Sequence, residues 1–136
     1  MYKSIIFDIG GVLVDFDPKA YLVDRLCNAA IEEQVYDLTE TPSRMIVVGS
    51  GVTGAEFASA YMNLGAKVTL VSSRDQVLPG EDHDAAIVLE KVFRRGGMTV
   101  LSKSRAQSVE RVGDGVVVTL SDGRTVEGSH CLLAVG

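Results

Sequence analysis

Short apolar runs alternate with amphipathic stretches along the chain from Arg44 onward. The runs at 45–48, 67–71 and 98–101 predict buried strands, and the stretches 55–65 and 82–95 predict helices that end at glycine. The predicted apolar faces are Phe57, Tyr61 and Leu64 in the first helix and Ala85, Leu89, Val92 and Phe93 in the second. Strands that alternate with helices indicate parallel β-α-β units.

The pattern changes after this alternation. Three strand-like stretches, 106–112, 115–120 and 125–128, are joined by the turn sequences GDG and SDGR, which predicts a small antiparallel meander. The run CLLAVG at 131–136 predicts one more strand. The expected fold class is α/β: a parallel sheet with flanking helices plus a three-stranded antiparallel meander.

The first 40 residues have a different pattern. SIIFDIGGVLVD predicts a strand that runs into a glycine loop, and a helix follows with Asp17 as N-cap and Pro18 at its first position. TETP at 39–42 is typical of a linker between two segments. We therefore expect an incomplete N-terminal segment at 1–40 and a domain at 41–136.

Charge and composition exclude several functions. The formal net charge of −5, from 13 basic and 18 acidic residues, argues against a nucleic-acid partner. No apolar run approaches the ~20 residues of a membrane span, and the first residues lack the core of a signal peptide. We expect a cytoplasmic protein without a membrane partner. Cys27 and Cys131 are far apart, which predicts buried thiols and no metal cluster.

The hexapeptide Gly49-Ser50-Gly51-Val52-Thr53-Gly54 is the strongest motif. It has the G-x-G-x-x-G spacing, follows a predicted strand and opens a helix, which is the arrangement of a Rossmann-like dinucleotide-binding unit. The first glycine permits a tight turn, the second lets the backbone approach a pyrophosphate, and the third allows close packing of helix and strand. Amide groups at the start of the helix attract the phosphates.

The end of the second strand indicates which dinucleotide is preferred. An NAD site usually has an acidic residue there that binds the 2′-hydroxyl of the ribose. This chain has Ser72 there, which removes the repulsion of a 2′-phosphate, followed by Ser73 and Arg74, which offer donors to it. The stretch favours NADP(H). Two alternatives stay open: the site accepts both NADP(H) and NAD(H), or the stretch is a solvated turn that indicates no preference.

Residues 42–136 resemble the pyridine-nucleotide-binding domain of the class I flavin disulfide reductases. The matching stretches are PSRMIVVGSGVTGAEFA, LGAKVTLVSSRDQVLP, SDGRTVEG and CLLAVG. The family includes lipoamide dehydrogenase, glutathione reductase, soluble transhydrogenase and NAD(P)H quinone reductases. Within it, the chain is most similar to actinobacterial quinone-reductase-like homologues of lipoamide dehydrogenase.

The resemblance implies further site residues. It places Glu56 near the nicotinamide and flavin, and Gly136 beside the nicotinamide ribose. NADPH-specific glutathione reductases have a basic pair where this chain has only Arg74, and an aromatic gate where it has Val52. The family's flavin-binding domain and cysteine pair are not in this sequence. The resemblance therefore implies FAD in the full-length family, not bound by this chain, and a missing flavin-binding domain or chain.

A second resemblance concerns the N-terminal segment. IIFDIGGVLVD is similar to the first motif of the haloacid-dehalogenase-like hydrolases, whose leading aspartate is a phosphoryl-accepting nucleophile that also holds Mg²⁺. Asp8 matches that position and Asp15 matches the later aspartate, while Gly10 stands where the general acid-base aspartate is usual. A Mg²⁺-dependent phosphohydrolase fragment, with Asp8 and Asp15 as metal ligands, is the alternative function. An inactive chimeric α/β scaffold is the third.

Overall fold

The structure is a computed structural model, and it describes residues 40–135. The predictions for the N-terminal segment, for Cys27 and for Gly136 lie outside the described residues. Within 40–135 the elements run in the order β1 (Arg44–Val48), α1 (Val52–Asn63), β2 (Lys67–Val71), α2 (His83–Arg95), β3 (Thr99–Leu101), β4 (Ala106–Val112), β5 (Gly115–Leu120), β6 (Thr125–Gly128) and β7 (His130–Leu133). These elements confirm the α/β fold class.

The strands form two sheets. The first is parallel and has the order β3-β2-β1-β7, and the second is antiparallel with the order β4-β5-β6. The two β-α-β crossovers step in the same direction across the first sheet. Because such crossovers are right-handed, they place α1 and α2 on the same face of that sheet.

The two hydrophobic clusters lie on opposite faces of the parallel sheet. Met45 and Val47 of β1 pack in one cluster with residues of α1 and α2. Ile46 and Val48, which point the other way, pack in the second cluster with Val118 of the meander. The domain therefore has three layers, helices, parallel sheet and antiparallel sheet, and β1 is buried on both faces.

Both helices end as predicted, and Tyr61, Leu89 and Phe93 pack in the core as predicted, but other residues of the predicted apolar faces are exposed. Leu64 follows the last residue of α1 and is 60% exposed, and Val92 of α2 is 52% exposed. The side of α1 that faces the sheet consists of Gly54, Ala55 and Ala58. Small residues let the helix lie close to the strands, so the large apolar residues mark only the flank of this face. The helix also begins at Val52, three residues before the predicted start.

Candidate functional site

The glycine turn joins β1 to α1 at the carboxyl ends of the parallel strands. Gly49 has a φ of 113°, and its amide donates to the Val71 carbonyl at 2.9 Å. A Cβ at Gly49 would overlap the Ala134 carbonyl oxygen, and one at Gly54 would overlap the Gly49 carbonyl oxygen. The fold itself therefore requires glycine at both positions.

Gly51 is different from the other two glycines. It is the N-cap of α1, with φ −67° and ψ −175°, a conformation open to other residues. It is exposed, and a Cβ built on it meets nothing within 4 Å. Neither backbone strain nor packing within residues 40–135 requires glycine here.

Among residues 40–135, the amino end of α1 has none of the usual side-chain acceptors. No side chain caps it and its first turn contains no acidic residue. The other helix gives a contrast: Asp82 accepts from the Ala85 amide at 3.1 Å, and Asp84 lies in the first turn. The described residues thus leave the amides and the positive dipole end of α1 available to an anion.

Ser72 lies in the interior rather than on the surface of the loop. It is 0% exposed, and its hydroxyl is 2.6 Å from the hydroxyl of Ser50 in the glycine turn. The Ser72 hydroxyl also accepts from the Arg74 amide at 3.1 Å. This residue ties the end of β2 to the glycine turn, and its hydroxyl is not offered to solvent.

Ser73 and Arg74 are exposed and come directly after Ser72. Their loop is held by the segment after β3, because the Lys103 amide donates to the Arg74 carbonyl and the Ser104 amide to the Ser72 carbonyl, both at 2.8 Å. Lys103 belongs to no motif of the sequence. The parallel pairing of β2 with β3 could have indicated it, since neighbouring parallel strands end at the same edge of a sheet.

A groove of about 670 Å³ runs between the two helices. It is lined by Glu56, Val52 and Leu78 together with mostly apolar residues of α1 and α2. None of the three motif glycines nor Arg74 lines it, but Val52 and Glu56 do, so the groove adjoins the turn along α1. Of the predicted site residues, Val52, Thr53 and Glu56 are exposed on α1. Gly136, Asp8 and Asp15 lie outside the described residues.

Three further observations concern the described part of the chain. Within 40–135, no group of three His, Cys, Asp or Glu side chains could hold a metal ion, and no helix is long and apolar enough to cross a membrane. Cys131 on β7 is partly buried against the meander. Burial raises the pKa of its thiol to about 11, which makes it a poor nucleophile at neutral pH.

The chain matches a known family over almost its whole length. Residues 4–136 match the family described as pyridine nucleotide-disulphide oxidoreductase. The match includes most of the segment 1–40, and it gives the hydrolase interpretation of that segment no support.

Individual relatives agree with this match. The chain is 58% identical over 103 residues to a protein named NAD(P)H dehydrogenase (quinone) from Mycobacterium tuberculosis, covering 76% of this chain and 21% of that protein. The crystal structure of LpdA from Mycobacterium tuberculosis has a TM-score of 0.72 at 58% identity, over 76% of this chain and 22% of that one. A water-forming NADH oxidase from Lactobacillus brevis, bound to NADH, has a TM-score of 0.71 at 26% identity, over 80% and 24%. This chain thus spans about a fifth of the length of the curated relatives it matches.

Proposed function

The chain belongs to the pyridine nucleotide-disulphide oxidoreductase family, and on that premise we propose that residues 41–136 are a domain that binds NADP(H) or NAD(H) over the glycine turn. The domain serves a flavin-dependent oxidoreductase. Its role is to position the nicotinamide, whereas the flavin that exchanges hydride with it is held by protein outside residues 41–136.

The proposal rests on the surroundings of Gly51. Gly49 and Gly54 are explained by the fold, because any side chain at those positions would collide with backbone. Within residues 40–135, Gly51 faces open space at the uncapped end of α1, and no described residue needs a glycine there. Its lack of a side chain is therefore explained by a group that approaches these amides. A pyrophosphate needs this access, because it binds backbone amides at close range.

The other predicted residues take roles around this contact. Val52 and Thr53 offer amides in the first turn of α1, and Ser50 fixes the turn through its bond with Ser72. Arg74 is the exposed donor for the 2′-phosphate of NADP(H), and Ser73 flanks it. The residue directly after β2 is Ser72 and not a carboxylate, which removes one source of repulsion for that phosphate. NADP(H) is therefore the preferred cofactor. The resemblance implies roles for Glu56 and Gly136 at the nicotinamide end of the dinucleotide; Gly136 lies outside the described residues.

The proposal is tested by titrating the purified chain with NADPH and NADH while following dihydronicotinamide fluorescence. The chain has no Trp, so protein emission interferes little. We expect both to bind, with NADPH tighter. Gly51→Ala lowers both affinities at least about tenfold, because its methyl group separates the pyrophosphate from the amides.

Gly80→Ala is the matched control. Gly80 is also exposed, and a Cβ there also meets nothing within 4 Å, but it lies in the loop before α2. It should bind like the unaltered chain. Failure of the unaltered chain to bind either dinucleotide would refute the proposal, as would full binding by Gly51→Ala.

A further inference from the structure

Lys103 lies beside Arg74 although the two are far apart in sequence. Three backbone hydrogen bonds join their loops: Ser72 to the Leu101 carbonyl at 2.9 Å, Lys103 to the Arg74 carbonyl at 2.8 Å, and Ser104 to the Ser72 carbonyl at 2.8 Å. The register of β2 with β3 aligns Val71 with Leu101, so both loops leave the sheet at the same edge. The glycine turn leaves β1 at that edge too, since Val48 is aligned with Val71.

The backbone at Lys103 is held in an uncommon conformation. Its φ is 52°, and Leu78 is the other non-glycine residue with positive φ in the described part of the chain. Residues with a Cβ rarely adopt this region, so the hydrogen bonds on either side must maintain it. The direction in which Lys103 leaves the backbone is therefore set by the fold.

Among the described residues, the charges of Arg74 and Lys103 are not compensated by ion pairs. Both residues are exposed, and within residues 40–135 neither takes part in a salt bridge. The adjoining Arg124 is different: it pairs with Asp122 at 2.7 Å and donates to the Ser104 hydroxyl at 2.8 Å. Asp75 is the nearest carboxylate in sequence to Arg74, and it too forms no ion pair among the described residues.

Among residues 40–135, the joined loops thus carry two cations without an ion pair, against the single carboxylate of Asp75, and this excess of positive charge favours an anion. A phosphate monoester carries close to two negative charges at neutral pH and three acceptor oxygens. An arginine can bind two of these oxygens with its planar fork, and a lysine adds a compact charge from another direction. The loop after β2 alone supplies only one of these groups.

We propose that Lys103 is a specificity-determining residue that binds the 2′-phosphate of NADP(H) together with Arg74. This inference rests on the proposed function, since it concerns the adenosine end of the same dinucleotide. It assigns the second cation of the phosphate site to the loop between β3 and β4. NAD(H) has a hydroxyl in place of the 2′-phosphate. Arg74 and Lys103 therefore make no comparable contact with it.

The test measures affinity of the full chain for NADPH, NADH and adenosine 2′,5′-bisphosphate at low ionic strength, where screening is weak. Lys103→Gln removes the charge and keeps most of the side-chain length. It should weaken binding of NADPH and of the bisphosphate by about tenfold each, and of NADH by less than about twofold. Lys103→Arg should restore the preference, because the positive charge returns.

Lys67→Gln is the control, since Lys67 is an exposed lysine that begins β2 at the opposite edge of the sheet. It should leave all three affinities unchanged. Unchanged NADPH preference in Lys103→Gln would overturn the inference and leave Arg74 as the phosphate ligand. Equal binding of NADPH and NADH by the unaltered chain would also overturn it, while the proposed function survives. Binding of neither dinucleotide would refute both.

Discussion

At the scale of single residues, the three motif glycines separate into two that serve the fold and one that serves the ligand. A methyl group on Gly54 would collide with the Gly49 carbonyl, which is backbone and cannot rotate away. We expect Gly54→Ala to lower the free energy of unfolding by about 3 kcal/mol. Gly51→Ala should change it by less than about 1 kcal/mol, because the weaker N-cap is offset by the stiffer unfolded chain.

Urea denaturation of both variants measures this difference. Gly80→Ala again provides the reference for an unstrained glycine. Equal destabilisation by Gly51→Ala and Gly54→Ala would mean that Gly51 also has a structural role, and the observation that supports the cofactor site would lose its force.

The buried hydroxyl pair Ser50 and Ser72 couples the glycine turn to the end of β2. Removing the Ser72 hydroxyl leaves the Arg74 amide without its acceptor and the Ser50 hydroxyl without its 2.6 Å partner. We expect Ser72→Ala to cost about 1–2 kcal/mol of stability. A double-mutant cycle with Ser50→Ala should give a coupling energy of about 1 kcal/mol. Strict additivity of the two substitutions would show that the pair does not act as a unit.

Cys131 gives a prediction about pH. Burial raises the pKa of its thiol to about 11, above the ordinary value of a free cysteine. At pH 8 the thiol should react with a disulfide reagent at least about tenfold more slowly than a free cysteine, and the rate should rise as the pH approaches 11. The folded state holds this proton more strongly than the unfolded state. The associated stability is therefore complete below the unfolded pKa and is lost as the pH rises through 11.

The measurement uses Cys27→Ser, so that Cys131 is the remaining cysteine. The urea-unfolded chain serves as the control for an accessible thiol. Rapid reaction of the folded chain at pH 8 would contradict the burial of Cys131 against the meander.

At the scale of elements, the two helices differ in how their amino ends are satisfied. Asp82 and Asp84 complement the start of α2, whereas α1 has no such group. Thr53 is exposed in the first turn of α1. We expect Thr53→Asp to stabilise the chain by about 0.5 kcal/mol through the helix dipole. The same carboxylate should weaken NADPH binding at least about tenfold, because it repels the pyrophosphate.

Thr53→Asn is the control, since asparagine has nearly the same shape as aspartate and no charge. It should retain most of the affinity. For Thr53→Asp, two results are expected together: the urea midpoint rises and the affinity for NADPH falls. Thr53→Asp that binds NADPH as well as Thr53→Asn would place the pyrophosphate elsewhere.

The elements themselves were largely predictable, but their packing was less so. Apolar runs and glycine stops located every strand and helix of residues 44–133, because period and turn chemistry are local properties. The buried face of α1 was not predicted, since Ala55 and Ala58 carry a weaker hydrophobic signal than Leu64. The position of Ser72 was predicted as part of the site, yet its burial depends on a partner 22 residues away, Ser50. Contacts of this kind are not encoded in the local pattern.

At the scale of the whole molecule, the carboxyl ends of three parallel strands gather the candidate site at one edge. The meander covers the face of the sheet opposite the helices, and its Val118 and Leu120 bury the second side of β1. The pairing of β1 with β7 brings Ala134 against Gly49, so the last described strand completes the turn. The sequence predicts the meander as an element but not that it packs on this face.

If residues 41–136 contain the whole site, dinucleotide binding should stabilise this domain by itself. A dinucleotide at 100 times its dissociation constant should stabilise the chain by about 2.7 kcal/mol, since it binds only the folded state. We expect the same increment after deletion of residues 1–40, measured by urea denaturation with and without NADPH. At the same NADPH concentration, the free energy of unfolding of Gly51→Ala should increase much less. An increment in the full chain that disappears on deletion would assign part of the site to residues 1–40, and the domain boundary at residue 41 would then be wrong.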